Sequence, residues 1–360
     1  MRKIVCLATS PWYPIPTRKQ QVMSRIPDAE ILYFDPSVTY LAPLKDKAAR
    51  PGLSNYKKEG VHPQENITVY SLPPVLPFFY KFRWINKLNQ RRMARFVRRK
   101  MREHGFTDAV LWVYSPVTAD LVDLVPHKGL VYDCVDRHSA YGGLMDPTLV
   151  DRMELELAGK TDRTFATADA LAERLRAAQP NTVMIPNGAN FERFVQAAQP
   201  QPVPEDLRDI PHPIFGFVGA LQSCIEYDYL EAAAKARPDW SFVMIGKEKP
   251  GVDLTALHAM PNVHFLGLKP NEQLPQYLAH FDACLNLFAK SDLSKDVSPL
   301  KFYEYLATGR PIVSTRQPDQ ILQYAPLIEI ADSPEEFIAA CKASLADTAA
   351  ERTKARIEAG

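Results

Sequence analysis

Residues 296–315 read DVSPLKFYEYLATGRPIVST and follow an apolar run, which predicts the order strand, loop, short helix, strand. Ser298 is typical of a helix N-cap, and Pro299 of the first helical position, where no amide hydrogen is needed. Gly309 suits a left-handed C-terminal cap, and Pro311 prevents the helix from continuing. A helix that begins so abruptly directs unpaired backbone amides and the positive end of its dipole outward, which favours a phosphate site.

Three charged side chains precede Gly309 in this stretch. Lys301 lies in the first helical turn, where the helix dipole alone would prefer an acid, so an anionic ligand would explain it. Asp296 and Glu304 are separated by seven residues, and the apolar neighbours of Glu304 predict a half-buried carboxylate. The alternative is that Glu304 pairs with Lys301 on a solvated helix face, which is worth a few tenths of a kcal/mol.

The segment resembles the nucleotide-sugar-binding segment of retaining glycosyltransferases with the two-domain GT-B architecture, the glycosyltransferase family 4 group. Those enzymes carry two glutamates spaced as E-x7-E, followed by Gly-x-Pro-Val-Val. Glu304 falls on the second glutamate, whereas Asp296 replaces the first. The sequence of residues 299–307 most resembles the corresponding segment of the bacterial cell-surface polysaccharide branch, which includes teichuronic-acid-type transferases. The resemblance implies that Glu304 holds ribose hydroxyls and that Asp296 lies near the donor sugar.

Strand and helix patterns alternate along most of the 360 residues, and a polar stretch with several prolines divides them into two blocks. This pattern predicts an α/β fold with two Rossmann-like, doubly wound domains. The predicted parts are an acceptor-binding domain at 1–197, a linker at 198–212, a nucleotide-sugar-binding domain at 213–345 and a helix at 346–360 that could return to the first domain. The GT-B resemblance implies that the two domains face each other across a cleft.

Ligands of doubly wound sheets bind at the carboxyl ends of the strands. In the first domain Asp136 and His138 follow an apolar strand candidate, in a passage similar to the Tyr-Asp-x-x-Asp motif of the related transferases. We expect both near the sugar, although a structural aspartate at a turn is an open alternative. Arg18 follows the first strand and is an acceptor-side candidate, with a structural role equally open.

In the second domain the relatives often carry an arginine and a lysine after the first strand, where this chain has Gln222, Ser223 and Cys224. Neutralisation of the donor diphosphate is therefore expected from lysines elsewhere. The candidate donor-binding residues are Ser298, Pro299, Leu300, Lys301, Glu304, Gly219, Lys247, Gly267, Leu268 and Lys295. The candidate catalytic residues are Asp136, His138, Asp296 and Lys301. Residues 185–188, Ile-Pro-Asn-Gly, match a family hallmark that is either a structural turn or ligand-facing.

Residues 81–102 form a basic amphipathic helix pattern after an aromatic lead-in at 77–80. Its cations are Lys81, Arg83, Lys87, Arg91, Arg92, Arg95, Arg98, Arg99, Lys100 and Arg102. Because the net charge of the chain is only +1, this local excess favours attachment to an anionic membrane surface. An outer helix with a solvated basic face is the alternative. No helix-turn-helix, zinc-finger or RNP motif supports a nucleic-acid partner.

The five cysteines are scattered, which predicts neither a disulfide framework nor a zinc site. No Asp-x-Asp-type motif is evident, so no metal or other cofactor is expected, with the nucleotide sugar acting as substrate. The first apolar run is too short for a signal peptide, and no run of about eighteen apolar residues occurs. We therefore expect a cytoplasmic protein that is peripheral on the inner face of the plasma membrane.

The resemblance implies a retaining, metal-independent hexosyltransferase of bacterial surface polysaccharide synthesis. It would move a sugar from a nucleotide-sugar donor to a saccharide or a lipid-linked saccharide. Two alternatives are a GT-B nucleotide-sugar epimerase and a non-catalytic, sugar-binding or scaffold member of a surface-polymer complex. A Rossmann dehydrogenase is disfavoured because no G-x-G-x-x-G follows a strand.

Overall fold

The computed structural model describes residues 1–14, 17–140, 145–291 and 294–360, and the chain divides into two compact units, Met1–Ile185 and Pro186–Gly360. Each unit has its own sheet and its own buried core. The predicted α/β class with two doubly wound domains is therefore confirmed.

In the described part of the first unit, eight strands form one sheet in the order β3-β4-β2-β1-β5-β6-β7-β8. The strands are β1 (Arg2–Leu7), β2 (Ala29–Asp35), β3 (Val61–Gln64), β4 (Ile67–Ser71), β5 (Val110–Val113), β6 (Gly129–Cys134), β7 (Arg163–Ala166) and β8 (Thr182–Met184). The helices are α1 (Arg18–Met23), α2 (Ala42–Lys45), α3 (Arg83–Glu103), α4 (Pro147–Lys160) and α5 (Asp169–Arg176). Only the edge pair β3–β4 is antiparallel among these strands.

The second unit has six described strands, all in parallel pairs, in the order β11-β10-β9-β12-β13-β14. They are β9 (Ile214–Val218), β10 (Ser241–Ile245), β11 (Val263–Gly267), β12 (Ala283–Asn286), β13 (Ile312–Thr315) and β14 (Glu329–Ala331). The helices are α6 (Phe191–Phe194), α7 (Tyr227–Ala236), α8 (Thr255–His258), α9 (Leu274–Leu278), α10 (Leu300–Thr308), α11 (Pro334–Leu345) and α12 (Ala350–Ala359).

The direction of strand addition reverses between β9 and β12 in the second sheet, and between β1 and β5 in the first. The central strands β9 and β12 are buried along their whole length, as expected for parallel strands covered on both faces. Loops diverge from the carboxyl ends of the strands at such a reversal and leave a crevice for a ligand. Each unit therefore offers one crevice of this kind, at β9/β12 and at β1/β5.

The boundary between the units lies at 185/186, earlier than the predicted 197/198, and the predicted linker at 198–212 belongs to the second unit. Its prolines and polar residues are typical of a linker, but Leu207 is buried in the core of that unit. The Tyr277 hydroxyl donates to Asp206 at 2.8 Å and fixes the same stretch on α9. Isolated apolar anchors between prolines carry no helical or strand periodicity, so the sequence pattern does not reveal them.

The last helix, α12, packs against α10 within the second unit, whereas the sequence left open a return to the first domain. The guanidinium of Arg356 is fully buried, and its Nε donates to the carbonyl of Gly309 at 2.9 Å. It also forms an ion pair of 2.6 Å with Asp347. This buried arginine holds α12 on the C-terminal end of α10.

None of the five cysteines forms a disulfide. Among the described helices, none is both long and apolar enough to cross a bilayer. Within residues 1–14, 17–140, 145–291 and 294–360, no three His, Cys, Asp or Glu side chains converge as a metal site would require.

Candidate functional site

The start of α10 differs from the prediction by one residue. The N-cap is Pro299, and the helix begins at Leu300. Ser298 does not cap the helix, because its Oγ accepts the backbone N–H of Asn187 at 3.0 Å, while its carbonyl accepts Asn187 Nδ2 at 2.8 Å. The Ile-Pro-Asn-Gly passage is thereby fastened to the residue that precedes the helix. At the other end Gly309 adopts the predicted left-handed conformation, with φ of 73°.

Lys301 extends from the first turn of α10 to the β9/β12 reversal. Its Nζ lies 4.1 Å from the ring centroid of Phe217 on β9 and 4.7 Å from that of Phe288, just after β12. Gly219 follows β9, and a Cβ at that position would lie 3.2 Å from Lys301 Nζ. The predicted donor residues Lys301 and Gly219 are therefore direct neighbours in the crevice.

Lys301 and Glu304 are half-buried and lie one helical turn apart. Burial lowers the pKa of Lys301 to about 8, although Cys224 and Glu304 act in the opposite direction. Burial raises the pKa of Glu304 to about 7, opposed by Lys301 and Arg193. Among the described residues neither side chain has a hydrogen bond or an ion pair, so the solvated Lys301–Glu304 pair is not what the structure contains. Two desolvated, unneutralised charges at a strand-end crevice are the arrangement expected where a polar ligand binds.

Arg193 is a neighbour of Glu304 that the sequence analysis missed. It lies on α6, its Nη1 donates to Asn271 Oδ1 at 2.5 Å, and its positive charge lowers the pKa of Glu304. The family hallmark that begins at Ile185 runs on to this residue, so the passage itself was the available signal.

Backbone hydrogen bonds that involve three glycines connect the carboxyl ends of β9, β10 and β11. Gly219 N–H donates to the Ile245 carbonyl at 2.8 Å, and Gly246 N–H donates to the Gly267 carbonyl at 2.9 Å. Gly246, which the sequence analysis missed, has φ of 155°, and a Cβ there would lie 1.8 Å from the Gly219 carbonyl oxygen. This edge of the crevice is therefore formed by backbone, with no room for a side chain at position 246.

We expect Gly246→Ala to lower the free energy of unfolding by about 3 kcal/mol or more, because it combines an unfavourable φ with a steric overlap against backbone. Urea denaturation of the wild type and of Gly246→Ala measures the difference in the free energy of unfolding. Gly188→Ala is the matched control, since an added Cβ there meets no heavy atom within 4 Å. Equal stability of the two variants would contradict the close approach of the strand ends.

The remaining donor-side candidates occupy different environments. Lys247 follows β10 and Lys295 lies in the turn before α10; both side chains are exposed and form no ion pair with a described residue. Leu268 is 61% exposed just after β11. Asp296, in contrast, is only 5% exposed. The structure thus brings Lys301, Gly219 and Glu304 together, and leaves the roles of these other residues as predictions.

Charged side chains also meet at the β1/β5 reversal of the first unit. Arg18 Nε donates to both carboxylate oxygens of Asp133, at 3.3 and 3.1 Å, and Asp133 is fully buried at the end of β6. Lys19 Nζ lies 5.3 Å from the ring centroid of Tyr114, which follows β5. Burial lowers the pKa of Lys19, although Asp136 and Asp133 oppose this. Lys19 and Asp133 were not among the sequence candidates, yet they form the centre of this cluster.

His138 lies beside this cluster and is 2% exposed. Its Nδ1 is 3.2 Å from the carbonyl oxygen of Asp136, and burial lowers its pKa. The imidazole is therefore mostly neutral at pH 7. Its roles, and that of Asp136, remain predictions.

A family model described as "Glycosyl transferases group 1" matches residues 212–347. The chain is also 26% identical over 260 residues to the "Putative teichuronic acid biosynthesis glycosyltransferase TuaH" of Bacillus subtilis (strain 168). That match covers 68% of this chain and 65% of the relative, so it spans just under two thirds of the relative's length.

Several solved structures share the fold of the whole chain. Sucrose-phosphate synthase from Thermosynechococcus elongatus superposes with a TM-score of 0.72 at 14% identity, covering 100% of this chain and 94% of that one. A structure titled "Trehalose-6-phosphate from E. coli bound with UDP-2-fluoro glucose" gives 0.70 at 13% identity, covering 99% and 95%. Anabaena Alr3699/HepE in complex with UDP and glucose gives 0.63 at 15% identity, covering 99% and 93%. The chain thus has the GT-B fold, and its second unit is similar in sequence to the group 1 glycosyl transferases.

Proposed function

We propose that this chain is a glycosyltransferase that moves a sugar from a nucleotide-sugar donor to a saccharide or lipid-linked saccharide acceptor. The observation that carries the proposal is the unneutralised pair Lys301 and Glu304 at the β9/β12 crevice of a unit that is similar in sequence to the group 1 glycosyl transferases. A donor diphosphate would supply the anion that Lys301 lacks, and ribose hydroxyls would supply the donors that Glu304 lacks. The UDP and UDP-sugar in the titles of two solved neighbours make a UDP-sugar the first donor to test.

The proposed mechanism proceeds with retention and needs no metal. The backbone amides at the start of α10, together with Lys301, stabilise the negative charge that develops on the leaving diphosphate. The diphosphate itself accepts the proton of the acceptor hydroxyl on the face from which it leaves. Asp296 contacts the donor sugar, and Glu304 fixes the ribose so that the anomeric carbon is held in position.

On the acceptor side we assign a binding role to Arg18, and we assign Asp136 and His138 a catalytic role near the transferred sugar. A neutral His138 imidazole can share a hydrogen bond with a sugar hydroxyl without the cost of burying a charge. The name of the Bacillus subtilis relative favours a bacterial cell-surface polysaccharide as the product.

We further propose that the protein is peripheral on an anionic membrane at the cytoplasmic face. The buried side of α3 packs into the first core through Met93, Phe96 and Val97. On the outer side Trp84 is 68% exposed and Leu88 49% exposed, one turn apart, and cations continue along the same side. An exposed tryptophan and leucine beside basic residues are typical of a helix that lies in the membrane interface.

A thermal-shift panel of UDP-, GDP- and dTDP-sugars tests the donor assignment. A ligand at about a hundred times its dissociation constant adds about 2.7 kcal/mol to the free energy of unfolding, so at least one member should raise the melting temperature. The sugar that stabilises the protein is then incubated with and without an oligosaccharide acceptor. Epimer formation from the donor alone would favour the epimerase, and stabilisation without transfer to any acceptor would favour a non-catalytic sugar-binding protein. A melting temperature unmoved by every nucleotide sugar would overturn the proposal.

A further inference from the structure

The carboxyl-terminal half of α3 forms one wall of a groove of about 460 Å³. Five arginines and two aromatic rings are among the residues that line it. They are Arg92, Arg95, Arg98, Arg99, Arg102, Tyr56 and Phe96. We refer to this surface as the arginine groove.

The charge of the arginine groove is almost unopposed. Arg99 lies 3.5 Å from Glu103, but Lys100 shares that carboxylate at 2.7 Å. Arg92 donates to the Tyr40 hydroxyl at 2.5 Å, which neutralises nothing. The other three arginines of the groove, Arg95, Arg98 and Arg102, make no side-chain hydrogen bond or ion pair with any residue of the described ranges.

The chemistry of the groove points to a phosphate group. Guanidinium forks bind phosphate oxygens in pairs and retain their charge at every physiological pH. The Arg99 guanidinium lies 5.0 Å from the ring centroid of Phe96, which also lines the groove. A diffuse attraction to charged surfaces would not require five arginines and no lysine around one cavity.

We propose that the arginine groove binds a phosphate monoester or diphosphate, either on a lipid headgroup or free in solution. The lipid source rests on the proposed membrane attachment of α3. Trp84 and Arg98 are fourteen residues apart, a separation of about 21 Å along the helix axis. The amino end of α3 would then insert its apolar side chains, while the carboxyl end binds phosphate.

Two triple variants with equal charge loss test the groove. Arg95→Gln/Arg98→Gln/Arg102→Gln removes groove cations, whereas Lys81→Gln/Lys87→Gln/Arg91→Gln removes exposed cations of the same region that do not line it. Binding is measured on phosphatidylcholine vesicles that contain phosphatidic acid or phosphatidylserine at matched surface potential. We expect the wild type to prefer the phosphatidic acid vesicles by about tenfold, the gain of one good bidentate contact. The groove variant should lose this preference, and the control variant should keep it.

A calorimetric titration with inorganic pyrophosphate separates the two sources. If free phosphate is a ligand, the wild type binds one more equivalent than the groove variant, since any binding at the Lys301 site is common to both. Trp84→Ser/Leu88→Ser should abolish vesicle binding without changing the pyrophosphate titration, so failure of membrane attachment is distinguished from failure of the groove. Equal effects of the two triple variants on both vesicles, with identical pyrophosphate titrations, would overturn the proposal. Melting curves of all variants confirm that they fold.

Discussion

Lys301→Met is expected to lower kcat/KM for sugar transfer by about a hundredfold or more, the usual cost of removing one preorganised group that stabilises developing negative charge. The variant should melt at the wild-type temperature or above it. Methionine replaces the cation–π contacts of Lys301 Nζ with Phe217 and Phe288 by a thioether that can pack against the same two rings. At the same time it removes a desolvated ammonium that has no ion pair or hydrogen bond with any described residue. Steady-state kinetics and calorimetric melting measure the two effects.

Lys342→Met is the matched control, because it removes the same charge from an exposed side chain in the last turn of α11. We expect its kcat/KM to stay within about twofold of the wild type, since exposed charges are strongly screened. Equal losses in the two variants would mean that the general positive field, and not the position of Lys301, assists the reaction.

The lowered pKa of Lys301 predicts that donor binding weakens at alkaline pH. Because the pKa of Lys301 in the free protein is about 8, its ammonium is lost as the pH rises through that value. An unfolded lysine titrates near 10.4, so between about pH 8 and 10 the unfolded chain binds more protons than the folded one. The contribution of this group to the free energy of unfolding therefore rises with pH across that window, and Lys301→Met should lack the rise.

The features that the sequence predicted well are governed by neighbours along the chain. Gly309 ends α10 because it adopts a left-handed conformation and is followed by Pro311, which cannot continue the helix. The position of Lys301 one turn before Glu304 follows from helical periodicity once the helix is placed. The strand at Ile214–Val218 is continuous in apolar character, which is the expected pattern for a central parallel strand.

The features that the sequence missed depend on distant parts of the chain. Ser298 had every property of an N-cap, but Asn187, 111 positions away, uses both its hydroxyl and its carbonyl. Gly246 lacks a side chain because the Gly219 carbonyl comes within reach of where Cβ would stand. Arg193 approaches Glu304 only after α6 packs on α10. Local pattern cannot supply such pairings, and in this chain they shape the crevice.

One departure from the related transferases also acquires a physical context. Cys224 stands in the segment where the relatives often have cations, and its field acts on the pKa of Lys301. The positive charge at the β9/β12 crevice thus comes from the helix side, through Lys301. A donor diphosphate bound by this ammonium would lie beside Gly219, at the start of the loop after β9.

Glu304→Gln is expected to raise the donor KM by about tenfold or more. A carboxylate that accepts two ribose hydroxyls forms charge-assisted hydrogen bonds, each worth about 1.5–3 kcal/mol, and the amide of glutamine replaces one acceptor with a donor. Donor titration followed by initial-rate kinetics measures the change. Glu335→Gln, at an exposed position in the first turn of α11, is the control and should leave KM unchanged.

The pH dependence of Glu304→Gln provides the sharper test. Burial raises the pKa of Glu304 to about 7, so in the wild type the carboxylate is protonated and donor affinity falls as the pH drops through about 7. In the variant, donor affinity should not show this fall below about pH 7, which we call the acid limb. The folded state binds more protons than the unfolded state between about pH 4.5 and 7, so this group's contribution to the free energy of unfolding falls as the pH rises across that window. Persistence of the acid limb in Glu304→Gln would assign it to another group. With Lys301 limiting from the alkaline side, wild-type donor affinity should be highest between about pH 7 and 8.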